Sequence, residues 1–265
     1  LCDRRQRQMC IRDSFIGGKM FNFDKRVWYI VIAIIAIRFL LPYLTNTNAL
    51  LSLLISLPAV LIAITFHEYA HAFAADKLGD DTPRQQGRLN LNPLSHIDPI
   101  GFIMLIFAGF GWGKPVQINP RNFNRDISMT KAEAIVAAAG PIMNFILAIL
   151  FTIISCIIPK FFMDFYCSQI GMITMSIINI SIIINLGLGI FNLIPLPPLD
   201  GSKILNNFLS YNAREWFANH EQIFYIIFVV LWVTGIAGGI ISPLINGAYS
   251  GLSYLGMKAF GLLGG

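Results

Sequence analysis

The stretch that decides the fold is residues 50–71, which read LLSLLISLPAVLIAITFHEYAH. Its first 17 residues carry no charge, and two histidines and a glutamate follow in the same apolar run. Continued as a helix to residue 75, the segment would be ~39 Å long, which exceeds the ~30 Å hydrocarbon core of a bilayer. The stretch therefore predicts a membrane-spanning helix that carries ionisable side chains near one end.

The composition extends this prediction to the whole chain. Of its 265 residues, 55% are hydrophobic and only 12% are charged, about half the charged share usual in soluble domains. The mean hydropathy is +0.65. A soluble domain of this size still exposes much of its area, so it could not hide so much apolar surface. We therefore expect an all-α polytopic membrane protein embedded in a lipid bilayer.

A formal net charge of +5 raises the alternative of a nucleic-acid-binding protein. The basic residues, however, lie in short loops between apolar runs, as is typical of cytoplasmic loops of membrane proteins. No basic stripe interleaved with aromatic residues occurs. The sequence thus predicts no nucleic-acid partner.

About six transmembrane helices are predicted, and the segment 50–75 is the second of them. The others are expected at 27–43, 132–158, 171–196 and, as two spans with a break near Pro243, within 222–257. Between the second and third spans lies GFIMLIFAGFGWGKPV, residues 101–116, which is too short to cross a bilayer. Its glycines and β-favouring residues predict a small membrane-associated strand or re-entrant element.

Basic residues mark the side on which each loop lies. They occur before the first span, between the second and third, and between the fourth and fifth: Lys25, Arg26, Lys77, Arg84, Arg88, Arg121, Arg125, Lys131, Lys203 and Arg214. The alternate loops hold little beyond Lys160. The positive-inside rule therefore predicts a multi-pass cell-membrane protein whose N-terminus and HEYAH side are cytoplasmic, and six spans would return the C-terminus to that side.

The first 19 residues differ from the rest in being charged and aperiodic, without the apolar region of a signal peptide. We interpret residues 1–19 as a non-native or disordered segment, and residues 20–265 as a single integral membrane domain with its core at 50–205. Cys156 and Cys167 flank one loop and could form a disulfide in an oxidising compartment. Two free thiols are the commoner arrangement.

The end of the second span contains the pattern HExxH, formed by His67, Glu68 and His71. On a helix, residues i and i+4 share a face, so both imidazoles can bind one metal ion, and the glutamate between them can act as a general base. Ionisable groups within a membrane helix are costly and usually functional. The alternative is a hydrogen-bonded network of two buried histidines and a glutamate.

A catalytic zinc takes three protein ligands and leaves one position open, so a third ligand is needed. The other histidines, His96 and His220, fall in polar segments, and we expect His96 to order its loop. Asp200 follows a proline-rich stretch at the cytoplasmic end of the fourth span, at the depth of His67 and His71. From the residues alone, Asp200 is either the third ligand or a turn residue before Gly201.

Three motifs in chain order resemble the site-2 proteases, a family of intramembrane zinc metalloproteases. They are HEYAH at 67–71, AAGPIMN at 138–144 and NLIPLPPLDG at 192–201. The loop pieces LNPLSHIDPIG at 91–101 and GWGKPVQINPRNF at 111–123 resemble the compact bacterial subgroup without a PDZ domain.

The resemblance implies roles for individual residues. It implies that His67, His71 and Asp200 bind one Zn²⁺ per chain and that Glu68 is the general base. It implies that the substrate is a transmembrane protein cleaved near the cytoplasmic face. Two further residues, Asn144 and Asn192, are implied to lie near the active site, where they would contact the substrate backbone or the developing oxyanion. Without the resemblance, Asn144 would be read first as a contact between helices.

Two rival functions remain at this point. A membrane metal-binding protein or transporter would also carry ionisable residues at membrane depth. Such a site would not need Glu68 beside two histidines, which favours an enzyme. An inactive relative that only binds membrane helices is disfavoured by the intact HExxH and Asp200.

Overall fold

The computed structural model describes residues 41, 45–108 and 113–262. The chain divides into two compact units, Leu1–Thr47 and Asn48–Gly265, and the contacts described below lie within the second. In chain order the helices are α1 (Thr47–Lys77), α2 (Thr82–Gln85), α3 (Pro93–His96), α4 (Pro99–Ala108), α5 (Met129–Phe161), α6 (Met163–Tyr166), α7 (Gln169–Asn192), α8 (Asp200–Asn206), α9 (Tyr211–Asn219), α10 (Glu221–Val233) and α11 (Ile236–Ala259), with a 3₁₀ turn at Pro120–Asn122.

The packed centre of the helical bundle is formed by α5, α7 and α11. Ala148 of α5 and Ile182 of α7 are buried side by side, and Ile245 of α11 packs against them. Toward the C-terminal ends of α5 and α11, a Cβ at Gly256 would lie 2.9 Å from the Cys156 sulfur, so the two helices approach closely there. In lipid, helices associate through such close packing of small residues, because burial of apolar surface gives no advantage over lipid tails.

One face of α5 is apolar and outward-facing. Ile142, Ile146, Ile149 and Ile153 follow one another at helical spacing and are 40–54% exposed. A contiguous exposed stripe of isoleucines would promote aggregation in water, whereas it suits contact with lipid tails. The stripe supports an all-α membrane protein.

The loop after α1 is tied down by a buried carboxylate. Asp80 is fully buried and accepts hydrogen bonds from the backbone N–H of Asn119 at 2.6 Å and from the side chain of Asn122 at 3.0 Å. Thr82 donates to the same carboxylate from its N–H and its hydroxyl. Burial alone would raise the pKa of Asp80, but these hydrogen bonds outweigh it and hold the pKa below its usual value.

Three of the predicted spans correspond to described helices that are long and apolar enough to cross a membrane, namely α1, α5 and α7. The predicted first span, 27–43, lies outside the described residues except for residue 41, and the predicted division at residues 19 and 20 lies outside them altogether. The fourth span ends at Asn192 and not at residue 196, because Pro195, Pro197 and Pro198 cannot continue a helix.

The break within 222–257 lies at Gly235 and not near Pro243. Gly235 takes a left-handed φ of 76°, which is readily accessible only to glycine, and Pro243 lies inside α11. The axes of α10 and α11 meet there at 73°, so the pair is either a broken span or a re-entrant arrangement.

The prediction of six spans is not confirmed: the described residues contain three helices that are long and apolar enough to cross a membrane, or four such spans if the bent pair α10 and α11 is counted as one. The Lys160 ammonium, at the end of α5, donates a hydrogen bond to the carbonyl of Phe260, directly after α11. Asn179 of α7 meets Tyr249, whereas Gly187 lies nearer Ile245, so α11 runs antiparallel to α7. The C-terminal end of α11 therefore lies at the Lys160 end of the bundle.

The strand or re-entrant element expected within residues 101–116 is not confirmed. Its described first part belongs to the helix α4, and the described residues contain no strand, only an isolated antiparallel bridge between Ile97 and Gly113. The pattern of a short apolar run does not by itself distinguish a strand from a helix. Cys156 is buried, Cys167 is exposed, and both thiols are free.

Candidate metal centre

Three side chains from two distant segments converge on one point. The Nε2 atoms of His67 and His71 lie 3.0 Å apart. The Oδ2 atom of Asp200 lies 3.3 Å from the first and 3.2 Å from the second. All three side chains are buried or nearly so. The structure thus brings together the three residues that the sequence singled out as candidate ligands.

Local chain geometry positions each of the three. His67 and His71 are one turn apart on α1 and so point to the same side. Asp200 is the first residue of α8, immediately after the prolines that end α7. A Cβ at Gly201 would collide with the backbone carbonyls of Leu193 and Ile194, so only glycine allows the chain to fold back closely enough at this position.

Gly140 of α5 provides the space that the imidazoles occupy. A Cβ at this position would lie 2.5 Å from His71 Nε2 and 2.6 Å from His67 Cε1. These distances are far below van der Waals contact, so any larger residue would displace the rings. The close approach of α5 to α1 therefore depends on this glycine.

The opposite ring nitrogens are held by acceptors. His71 Nδ1 lies 2.7 Å from the carbonyl oxygen of Val136, and His67 Nδ1 lies 2.6 Å from Asn144 Oδ1. The Asn144 amide nitrogen donates to the carbonyl of Ala63 at 3.2 Å, which leaves its oxygen toward His67. Since these oxygens can only accept, both Nδ1 atoms carry a proton, and the neutral imidazole of each residue then presents its Nε2 lone pair toward the centre.

This donor set fits a divalent cation. Two imidazole lone pairs and a carboxylate oxygen that converge within hydrogen-bond distance repel one another unless a positive charge lies between them. Ligand atoms 2.0–2.1 Å from a tetrahedral zinc are separated by about 3.3–3.4 Å. The observed separations of 3.0–3.3 Å are close to that value. Two nitrogens and one oxygen are also ligands that zinc accepts.

A cavity of about 460 Å³ opens beside the three ligands. Its walls come from α1, α5, α7, α8, α10, the irregular segment 113–118 and the prolyl stretch before α8, and they are mainly apolar. Glu68 and Asn192 both line it, together with Glu133 and Lys203. The Glu68 carboxylate makes no hydrogen bond or ion pair with the part of the chain that the structure describes.

Asn144 lies in a different place from Asn192. It is fully buried behind His67, is not part of the cavity wall, and has its amide atoms engaged by His67, Ala63 and Asn185. The Asn192 side chain, in contrast, donates to the carbonyl of Leu188 at 3.0 Å and borders the cavity.

The remaining histidines do not join the cluster. His96 is fully buried and its Nε2 lies 2.7 Å from the carbonyl oxygen of Asn90, consistent with the loop-ordering role expected for it. His220 contacts the carbonyl of Trp216 and stacks on its indole ring.

Comparison with known proteins agrees with this site. A protein of Bacillus subtilis (strain 168) is 36% identical over 207 residues, which cover 78% of this chain and 87% of that protein. Residues 167–235 match the description of peptidase family M50. The chain belongs to peptidase family M50. This is the site-2 protease family, and the chain is by membership a zinc metalloprotease with Zn²⁺ as its cofactor.

Two further relatives are less similar to this chain. One from Mycolicibacterium smegmatis is 30% identical over 66% of this chain and 64% of its own length. One from Methanocaldococcus jannaschii is 26% identical over 80% of this chain and 99% of its own length. All three relatives are named "Putative zinc metalloprotease". No solved structure matches the chain.

Three residues of this M50 site were not predicted individually from the sequence. Gly140 makes room for the imidazoles, and Gly113 packs so closely on Glu68 that a Cβ there would lie 2.9 Å from its carboxylate. Asn185 hydrogen-bonds Asn144. The available signal for Asn185 was its amide in the uncharged segment 171–196, since a polar side chain within a membrane helix usually contacts another helix.

Proposed function

We propose that this M50 peptidase hydrolyses peptide bonds of transmembrane proteins within the bilayer, near its cytoplasmic face. The observation that carries the proposal is the convergence of His67, His71 and Asp200 beside a cavity that Glu68 also lines. A transporter or a purely metal-binding protein would have no use for a free carboxylate at that position.

In the proposed site, His67, His71 and Asp200 hold one Zn²⁺ per chain. Zinc, when bound, supplies a Lewis acid that lowers the pKa of water toward ~7 and polarises a carbonyl group. The protein contributes fixed imidazole tautomers, set by Val136 and Asn144, and an apolar surrounding that strengthens electrostatic interactions.

Glu68 is the proposed general base. It takes a proton from the attacking water while the water oxygen bonds to the carbonyl carbon of the substrate. When the carbon–nitrogen bond breaks, Glu68 passes that proton to the leaving amine. The Glu68 carboxylate has no hydrogen-bond or ion-pair partner among the described residues. This supports the role, because no existing hydrogen bond has to break before the carboxylate accepts a proton.

The proposed substrate is a membrane helix that has unwound locally. A helix hides its backbone in hydrogen bonds, so a scissile bond becomes accessible only in an extended segment. The mainly apolar cavity suits apolar side chains of such a segment. Asn192 is proposed to accept a hydrogen bond from the substrate backbone with its Oδ1, since its amide nitrogen is engaged by Leu188.

The cytoplasmic position is proposed from charge. Lys77 ends α1 six residues after His71, which is roughly 9 Å along a helix. Lys203, just after Asp200, lies at the same cavity. Basic residues at this end agree with a cytoplasmic orientation, and the metal site would lie just below that membrane surface.

The test is the variant Glu68→Gln, which keeps the size of the side chain and removes the proton acceptor. Cleavage of a transmembrane model substrate by the purified protein should fall by a factor of ~10²–10⁴ while zinc stays bound. Glu215→Gln, on α9 away from the cavity, is the matched control and should cleave normally. Near-normal cleavage by zinc-loaded Glu68→Gln would rule out the mechanism.

A further inference from the structure

A chain of buried amides runs from α7 to the candidate metal centre. Asn185 and Asn144 are both fully buried, and the Asn144 nitrogen donates to Asn185 Oδ1 at 2.9 Å. The Asn185 nitrogen donates to the carbonyl of Ser181 at 2.8 Å. At its other end, Asn144 Oδ1 meets His67 Nδ1. Asn185 therefore connects to His67 through one intervening side chain.

Backbone groups set the donor-to-acceptor direction of the hydrogen bonds that link Asn185, Asn144 and His67. The carbonyls of Ser181 and Ala63 can only accept, so they must face the amide nitrogens of Asn185 and Asn144. The Asn185 oxygen then faces the Asn144 nitrogen, and the Asn144 oxygen faces His67. Neither amide can turn over without opposing two donors or two acceptors inside the protein, which is costly for buried groups.

The two histidines differ in how they are supported. His71 is oriented by the backbone carbonyl of Val136, which no substitution removes. His67 is oriented by the side chain of Asn144, whose own orientation depends partly on Asn185. The tautomer and ring position of His67 are therefore sensitive to side-chain changes at two positions on other helices.

We propose that Asn185 is a positioning residue that acts through Asn144 to hold His67 with its Nε2 lone pair toward the metal. The proposal rests on the proposed zinc site. Outer partners of this kind fix the tautomer of a ligating histidine, and their loss typically weakens metal binding 10–100-fold. The alternative is that the amide pair only fastens α5 to α7, in which case zinc affinity would not depend on it.

The experiment measures the zinc dissociation constant of the full-length purified chain by competition with a chelator, and the unfolding temperature of the metal-free protein. The variants are Asn144→Leu, Asn185→Leu and the double variant, because leucine has the same branched arrangement of side-chain heavy atoms and makes no hydrogen bond. The matched control is Asn179→Leu, on the same helix, whose Oδ1 accepts a long hydrogen bond of 3.4 Å from the Tyr249 hydroxyl.

We expect Asn144→Leu to weaken zinc binding about 10–100-fold and Asn185→Leu to weaken it severalfold. The double variant should bind zinc no more weakly than Asn144→Leu, because both changes interrupt the same chain. Asn179→Leu should bind as the wild type does. If Asn185→Leu fails to fold, Asn185→Ser takes its place, since a serine hydroxyl can bond within its own helix but is too short to reach Asn144.

Wild-type zinc affinity in a folded Asn185 variant would overturn the proposal. A double variant whose loss of zinc affinity equals the product of the two single losses would overturn it too. The variant His67→Ala with His71→Ala separates this result from a failure of the zinc site itself. If that variant keeps its zinc, the site assignment is wrong. If it loses zinc while Asn185→Leu binds normally, only the positioning role of Asn185 is wrong.

Discussion

Gly140 lies directly against His71, and a Cβ at position 140 would stand 2.5 Å from the histidine Nε2 that faces the metal centre. His71 cannot simply turn away, because its other nitrogen is held by the carbonyl of Val136. A residue with no role in chemistry thus controls how closely α5 approaches the two imidazoles of α1.

The first prediction concerns this contact. Gly140→Ala should weaken zinc binding by about 10–100-fold, the range found when groups that orient metal ligands are disturbed. The measurement is the zinc dissociation constant by chelator competition. Gly247→Ala is the matched control, since a Cβ at Gly247 on α11 would meet nothing within 4 Å. Equal affinities for both variants would contradict the close approach.

The second prediction concerns the third ligand. Asp200→Ala leaves two imidazoles, which is too few for a catalytic zinc site, so the zinc content should fall well below one per chain. Metal content is measured by mass spectrometry on protein purified in detergent. Asp126→Ala removes an exposed carboxylate elsewhere and should leave the zinc content unchanged. Stoichiometric zinc in the Asp200 variant would remove this residue from the ligand set.

The third prediction concerns the topology. Because Lys160 contacts Phe260, the C-terminal end of α11 lies on the same side as the loop after α5. Reporter fusions after Lys160 and after Gly265 should therefore both report the outside, and a fusion after Arg125 should report the cytoplasm. A cytoplasmic signal after Gly265 alone would show that residues 222–257 cross twice, as the sequence had suggested.

The fourth prediction concerns Asp80, whose pKa is lowered in the folded protein. A carboxyl group with a lowered pKa stabilises the fold above its unfolded pKa of about 3.9, and this contribution is lost as the pH falls through the folded value. Asp80→Asn should therefore lower the unfolding temperature of metal-free protein at pH 7, by the equivalent of roughly 1–3 kcal/mol.

The difference in unfolding temperature between wild type and Asp80→Asn should shrink as the pH is lowered toward 4 and below. Asp81→Asn changes the exposed neighbouring carboxylate and should have little effect at either pH. A difference between wild type and Asp80→Asn that grows on acidification would show that the ionised carboxylate is not the stabilising form.

Much of the fold followed from the sequence because it depends on local pattern. Apolar runs long enough to cross the bilayer predicted α1, α5 and α7, although the span predicted to end at residue 196 ends at Asn192, before the three prolines. The position of a helix break was harder to predict where two residues near each other could each cause it. Both Gly235 and Pro243 can interrupt a helix, and the structure has the break at the glycine, which takes a left-handed φ. The short run at 101–116 had no period that separates a strand from a helix.

The sequence by itself determined that His67 and His71 share a face, since four residues make about one helical turn. It also determined that Glu68 sits beside them in a segment suited to a membrane. Only the tertiary structure decided that Asp200 reaches the same point across more than a hundred residues of chain, and that Asn185 connects to His67 through Asn144. Such contacts depend on how helices pack against one another, and helix packing is set by the fit of many side chains at once and not by the spacing along any one helix.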